Sequence, residues 1–260
     1  AKTLFPYTTL FRSANNSEVW RHDPTDADIA AQMRAMFAGR NGEPGIFSGA
    51  AAARTMPARR REMWARDLGV DVASSAGTNP CGEIVLRPQG LCNLSIAVAR
   101  TDDTLTSLRR KVAAAAVFGT IQATATHFPG LRAQWRRNAE QERLLGVDIT
   151  GQMDCPLLTS YGAEDVFDTL RHVAVRENEK IATFLGIDPA AAVTTVKPAG
   201  NSAALLNCAS GVHGRHARFY VRNARVSAHS PAYRVLRDAG APLTPENGQA
   251  SDTTTTWVCR

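Results

Sequence analysis

The sequence predicts an α/β fold with largely parallel strands. Three observations predict it. Short β-branched or apolar runs alternate with longer stretches of helical period along the chain. No internal repeat and no Gly/Ser linker interrupts that alternation, which suits one domain or a piece of one. The 260 residues, 44% of them hydrophobic, suffice to bury a substantial core.

The elements follow in chain order. Thr25-Asp26-Ala27-Asp28 has the form of a capping box, with Asp in the place of the usual Glu or Gln. Ile29, Met33, Met36 and Phe37 then recur at helical spacing, and Gly39 supplies the stop. Asn41 to Gly45 is loop. Residues 58–66 carry Arg59, Arg60 and Arg61 in a row, which predicts a solvated helix face. Ile84–Leu86 and Leu94–Ala99 predict short strands around the loop 87–90. A helix is expected from Thr104 to Ala125 with Leu105, Leu108, Val112, Ala116 and Ile121 inward. A second is expected over 163–185, ended by Gly186, with Val166, Phe167, Leu170, Val173 and Ala174 on one face. Val193–Val196 predicts a strand, Lys197–Ser202 a small-residue loop, and Ala203–Leu206 a helix start. Phe219–Val226 and Ser230–Asp238 predict a further strand and helix.

Composition removes several classes. Collagen, low-complexity disorder and a disulfide-dense mini-protein do not fit 19 Gly, 13 Pro and 5 Cys in this length. No apolar run approaches the roughly 20 residues needed to span a bilayer, so no membrane association is expected. An odd cysteine number at wide spacing fits a reducing, cytoplasmic setting. The net charge of +6 comes from 30 basic residues, of which only four are Lys, a bias expected from coding composition rather than from a binding surface. The Arg residues are spread along the chain with acids among them, so a basic nucleic-acid-binding module is disfavoured and no direct nucleic-acid partner is expected. Residues 1–13, AKTLFPYTTLFRS, hold three aromatics and no acid and lack the apolar stretch of a secretory signal; they are expected to be a non-native head. At the other end TTTTWVCR is β-prone up to Arg260, and the chain is expected to be cut inside a strand.

Four constellations could carry chemistry. Asn79, Cys81 and Glu83 sit at i, i+2 and i+4 in NPCGE, which in an extended segment would project a carboxamide, a thiol and a carboxylate to one side. Cys92, in LCNL, could approach the same place if residues 81 and 92 lie on adjacent strands. Without CxxC or clustered His, a metal site is not expected. The loop Lys197–Ser202 could offer backbone N–H groups and a helix start to an anion, although it is not a Walker loop. His213 and His216 in GVHGRH could hold a polar ligand, but satisfied loop histidines are common. Cys155, Cys208 and Cys259 are expected to be structural thiols.

Taken together, NPCGEI, LCNLS, TTVKPAGNSAALL and SGVHGRHARFYVRNAR resemble the catalytic barrel of ribonucleotide reductases. GTIQATATHF, WRRNAEQERLLGVDITGQMD and NGEPGIF resemble most the adenosylcobalamin-dependent (class II) ribonucleoside-triphosphate branch. The resemblance covers residues 18–260, and the chain outside the head, 14–260, is expected to be the central portion of a ten-stranded α/β barrel incomplete at both ends.

The resemblance implies roles by position. Cys81 would be the thiyl-radical cysteine that removes the ribose 3′ hydrogen, Glu83 the base for the 3′-hydroxyl proton, and Asn79 the residue that holds that hydroxyl. Cys92 would be half of the redox disulfide that reduces the 2′ position. Pro198, Ala199, Gly200, Asn201 and Ser202 would bind substrate phosphate, although Ala-Gly-Asn-Ser departs from the Ser-Gly-Thr that relatives often carry. The implied cofactor is adenosylcobalamin (B12), the substrate a ribonucleoside triphosphate, and the reductant thioredoxin or another dithiol. A deoxynucleotide effector site and the partner of Cys92 are expected outside this chain, since no cysteine precedes Cys81. The 260 residues alone are therefore expected not to turn over. The close alternative is the large subunit of a diiron-dependent ribonucleoside-diphosphate reductase, which uses the same Cys–Glu–Asn chemistry; the 119–154 segment favours cobalamin. The glycyl-radical relatives fit NPCGEI with LCNLS poorly.

Overall fold

The structure is a computed structural model that describes residues 17–39, 44–69 and 71–260. The head 1–13 and the Asn41–Glu43 part of the expected loop lie outside these residues. The chain divides into two compact units, Ala1–Gly214 and Arg215–Arg260.

In the first unit, β1 (Ser17–Trp20) pairs in parallel with β2 (Gly45–Ser48) across α1 (Asp26–Gly39). The capping box forms: Thr25 N donates to Asp28 Oδ2 at 2.9 Å, and Asp28 N to Thr25 Oγ1 at 3.3 Å. The predicted apolar face of α1 is not a core face, however. Ile29, Met33 and Phe37 are exposed, Phe37 to 78%, and Gln32 is the buried residue of the helix. Periodicity marks an apolar stripe without saying what covers it.

Ser48 caps α2 (Gly49–Thr55), and α3 (Ala58–Leu68) ends on left-handed Gly69. With α4 (Val72–Ser75) they enclose a small core of Ala52, Met56, Trp64, Val72 and Ala76. The solvated reading of the Arg run holds for Arg59 and Arg61 only. Arg60 is buried, because its position on α3 faces a carboxylate rather than water.

Next, β3 (Gly77–Thr78) and β4 (Val85–Leu86) form a short antiparallel pair. β5 (Asn93–Val98) then runs parallel to β6 (Leu145–Thr150), joined by α5 (Leu105–Gln122) and α6 (Ala133–Glu142). The predicted strand at 193–196 lies on the other side of β6 through a parallel bridge from Thr194 to Val147. Between them come α7 (Pro156–Thr159) and α8 (Ala163–Leu185), the latter with the predicted limits and ended by Gly186 at φ 67°.

One face of this parallel sheet is covered by α5 and α8. Ala97, Leu145, Val147 and Val193 pack there against Leu108, Val112, Leu170, Val173 and Ala174. Thr104 and Ser107 form a capping box at the start of α5. Ile121 departs from expectation: it is 50% exposed, one position past the turn that carries buried Gly119 and Thr120. After the third strand, α9 (Asn201–Leu205) begins two residues earlier than predicted.

The second unit is an antiparallel sheet in the order β7 (Ala224–Ser227), β9 (Thr256–Cys259), β8 (Leu243–Pro245), with α10 (Pro231–Asp238) capped by Ser230. Tyr233 stacks on Trp257 at 5.7 Å between centroids. The strand predicted at 219–226 forms only from Ala224; Phe219, Tyr220 and Val221 are exposed, since β propensity without a partner strand does not make a strand. The fold is thus mixed α/β, parallel through the centre of the first unit and antiparallel in the second. Among the described residues no helix is long and apolar enough to cross a membrane.

Candidate active site

The site is built on the sheet face that α5 and α8 leave uncovered. Alternation along β6 sends Leu145 and Val147 to the helices and Gly146 and Asp148 to the opposite face. At Gly146 the absent side chain is a requirement: a Cβ would lie 2.5 Å from Leu94 Cδ2 and 3.2 Å from Ile84 Cδ1. Ile84 thereby seats the NPCGE segment directly on the sheet.

That segment is a turn, not the extended run its spacing suggested. Gly82 N donates to Asn79 O at 3.0 Å, and Gly82 has φ 82°. Asn79, Cys81 and Glu83 consequently do not project to one side. Cys81 is exposed at the tip. The Glu83 side chain is 3% exposed, and its carbonyl accepts from Thr195 Oγ1 at 3.1 Å. Asn79 closes the turn, its N donating to Ile84 O at 3.2 Å and its Oδ1 accepting from Ile84 N at 3.0 Å. The Nδ2 end of Asn79 is left as the donor.

Cys92 precedes β5 and is half-buried. Burial pushes its thiol pKa up, as does the negative charge of Glu83, against the opposing charges of Lys197 and Arg60. Cys92 and Glu83 therefore act on one another electrostatically, whereas Cys81 is exposed. No disulfide is formed; all five cysteines are free.

Lys197 joins this group from the far strand. Its Nζ lies 3.5 Å from Glu83 Oε1, a charge contact too long and oblique to hydrogen-bond. Its backbone N donates to Asp148 Oδ1 at 3.2 Å. The loop that follows is held from behind: Gly211 is so close that a Cβ would lie 2.7 Å from Lys197 O, and Gly211 N donates to Thr150 Oγ1 at 2.9 Å. In that loop Pro198 and Asn201 are exposed, Ala199 is buried, and Ser202 N donates to Ala199 O at 3.1 Å. Gly200, with φ 53° and ψ −128°, makes the bend into α9.

His213 is exposed, with Nδ1 3.3 Å from Ser210 O, and His216 lies in the second unit, edge-on to Tyr220. Cys155 and Cys208 are buried. Among the described residues no group of three or more His, Cys, Asp or Glu is placed to hold a metal ion.

Asp148 and Arg60 were not singled out from sequence as site residues, and Lys197 entered only as the first residue of the anion-binding loop. A carboxylate inside the apolar run LLGVDIT was the available signal for Asp148. It is 1% exposed, and burial drives its carboxyl up to about 6. The N–H groups of Lys197 and Ile149 and the charge of Lys197 oppose this, while the charge of Glu83 adds to it.

The sign of the consequence is fixed. The ordinary value is 3.8, so between that and about 6 the folded protein keeps a proton that the unfolded chain loses. The stabilisation is complete below 3.8 and is lost as pH rises through about 6, a change of about 3 kcal/mol. Asp148→Asn is expected to flatten this part of the pH dependence and to gain about 1–3 kcal/mol at pH 8. Urea midpoints of both proteins at pH 4.5 and pH 8 check it; parallel pH dependence in the two would refute it.

No family model matches the chain. Part of its mixed α/β fold is shared with a solved structure: the crystal structure of a B12-dependent (class II) ribonucleotide reductase superposes with a TM-score of 0.54 at 21% identity, over 71% of this chain and 29% of that one. By sequence, the chain is similar to adenosylcobalamin-dependent ribonucleoside-triphosphate reductases, as its motifs led us to expect. The relative from Levilactobacillus brevis is 27% identical over 90% of this chain and 33% of its own length. Those from Lacticaseibacillus paracasei and Euglena gracilis are 26% and 24% identical, over 82% and 92% of this chain. The chain spans about a third of the length of these curated relatives.

Proposed function

We propose that this chain is catalytic-barrel sequence of a class II ribonucleotide reductase, which reduces ribonucleoside triphosphates to 2′-deoxyribonucleoside triphosphates with adenosylcobalamin as cofactor. The three parallel strands would then be part of a ten-stranded α/β barrel. The observation that supports this reading best is the division of labour on the sheet face: an exposed thiol at Cys81, a buried carboxylate at Glu83 and a half-buried second thiol at Cys92.

One residue bears on the cofactor: the Cys81 thiol is exposed at the tip of a turn clamped by Asn79 and would be accessible to a bulky group. Adenosylcobalamin, when bound, supplies the one-electron oxidation of the Cys81 thiol. The Cys81 sulfur then takes the 3′ hydrogen of the ribose. Asn79 Nδ2 donates to the 3′ oxygen and orients it, and the Glu83 carboxylate removes the hydroxyl proton. The 2′-hydroxyl then leaves as water, taking its proton from one thiol of the redox pair. Cys92 and a second thiol deliver two reducing equivalents and end as a disulfide, after which Cys81 returns the hydrogen to the 3′ carbon. Pro198, Ala199, Gly200, Asn201 and Ser202 would hold the triphosphate. Thioredoxin or another dithiol would restore the thiols in the cytoplasm, and a deoxynucleotide effector would act from a site outside these residues.

The test assays the intact polypeptide with a ribonucleoside triphosphate, a dithiol and adenosylcobalamin. Deoxynucleotide should form only with the cofactor, and Glu83→Gln should lose about 10²–10⁴-fold in kcat/KM. Turnover without cobalamin but with a radical-supplying partner protein would instead favour the diiron branch. Unchanged activity of Glu83→Gln would defeat the assignment of the base.

A further inference from the structure

Glu83 is an unusual carboxylate. It is almost wholly buried, yet neither of its oxygens accepts a hydrogen bond among the described residues. Such a group is costly to bury in ionised form unless a counter-charge is held nearby. Arg60 of α3 lines a cavity with Glu83 and Thr194, and its Nε and Nη2 donate to Glu142 at 2.7 Å and to the Val85 carbonyl at 2.6 Å. Asp148 of β6 and the Cys92 thiol face the same space and bring no positive charge. Lys197 is the cation whose ammonium is paired with Glu83, at 3.5 Å.

Its placement is over-determined by the backbone. Asp148 anchors the N–H of Lys197, and Gly211 presses against its carbonyl, so the side chain departs from a fixed point toward Glu83. At 3.5 Å, without hydrogen-bond geometry, the ammonium stabilises charge while leaving the acceptor sites of Glu83 open.

We propose that Lys197 is the positioning residue for Glu83: its ammonium keeps the buried carboxylate ionised and fixed on the sheet face, with neither oxygen taken up by a hydrogen bond. This rests on the reading of Glu83 as the base. Asp148 serves the same end one step removed, by fixing the backbone from which Lys197 reaches.

The experiment compares Lys197→Met and Lys197→Arg with the parent in the intact polypeptide. Infrared difference spectra taken against Glu83→Gln isolate the Glu83 carboxyl without needing turnover. At pH 7 the parent and Lys197→Arg should show an ionised carboxylate, and Lys197→Met the carbonyl band of a protonated acid. In turnover, Lys197→Met should lose about 10- to 100-fold in kcat with KM within about threefold, and Lys197→Arg should recover most of it. An ionised Glu83 in Lys197→Met, or an unchanged kcat, overturns the proposal. If Lys197→Met does not fold, Lys197→Gln is read by the same two criteria. Should the infrared change occur while Glu83→Gln turns over normally, the base assignment fails and the coupling of Lys197 to Glu83 stands.

Discussion

Replacing Cys81 by serine is expected to abolish deoxynucleotide formation, by about 10³-fold or more, while leaving fold and nucleotide binding intact. The change is nearly isosteric, and the thiol is exposed at the tip of a turn whose hydrogen bonds come from the backbone and from Asn79. Nothing structural should therefore be lost. What goes is a sulfur able to accept and return a hydrogen atom, and a hydroxyl at the same point does not replace it. Parallel measurement of product and of thermal unfolding separates the two effects. Full activity of Cys81→Ser would remove the radical-thiol assignment.

The largest expected effect on stability is at Glu142. This carboxylate is 1% exposed; its Oε1 accepts from Arg60 Nε at 2.7 Å and from Trp64 Nε1 at 2.8 Å, and its Oε2 lies 3.4 Å from Arg87 Nε. Arg87 is itself buried and donates to Gln141 Oε1 at 2.8 Å and to the Asn138 carbonyl at 3.2 Å. Asn138 in turn donates to the carbonyls of Pro88 and Gln89. The network ties α3 and α6 to the strand that leaves the Cys81 turn. Glu142→Ala would leave the buried Arg60 guanidinium without its counter-charge, Arg87 with only Asp67 at 3.3 Å, and an indole N–H without its acceptor, costing about 3–5 kcal/mol. Glu142→Gln keeps an acceptor and should cost less. Urea unfolding should show the midpoint of Glu142→Ala lowered by about 1–2 M. A loss under about 1 kcal/mol would mean that the network is not a structural anchor.

Much of the local structure was legible from the chain. Thr104 and Gly186 marked helix ends because capping is a local interaction, read within four residues. The alternation of strand and helix was likewise enough for the parallel strand at 93–98 and the parallel bridge at 194, but the strand between them, Leu145–Thr150, was not expected from the sequence. Burial was less legible. Arg60 looked like its solvated neighbours, because the carboxylate that buries it is 82 residues away. The stripe on α1 looked like a core face, because sequence does not name a partner. The same limit applied to the site. The residue types of NPCGE and LCNL were visible, but the i, i+2, i+4 spacing misled: Asn-Pro-Cys-Gly carries turn chemistry, and Gly82 takes the positive φ that closes it. Asp148, and the contact of Lys197 with Glu83, emerged only when the strands stood side by side.

Removal of the ribonucleotide 3′ hydrogen by the Cys81 sulfur is tested most directly by supplying the intact polypeptide, with adenosylcobalamin and a dithiol, with a mixture of 3′-protiated and 3′-deuterated ribonucleoside triphosphate. The protiated substrate should be consumed faster, so that early deoxynucleotide is depleted in deuterium. Deoxynucleotide formed with no discrimination between the two substrates would contradict it.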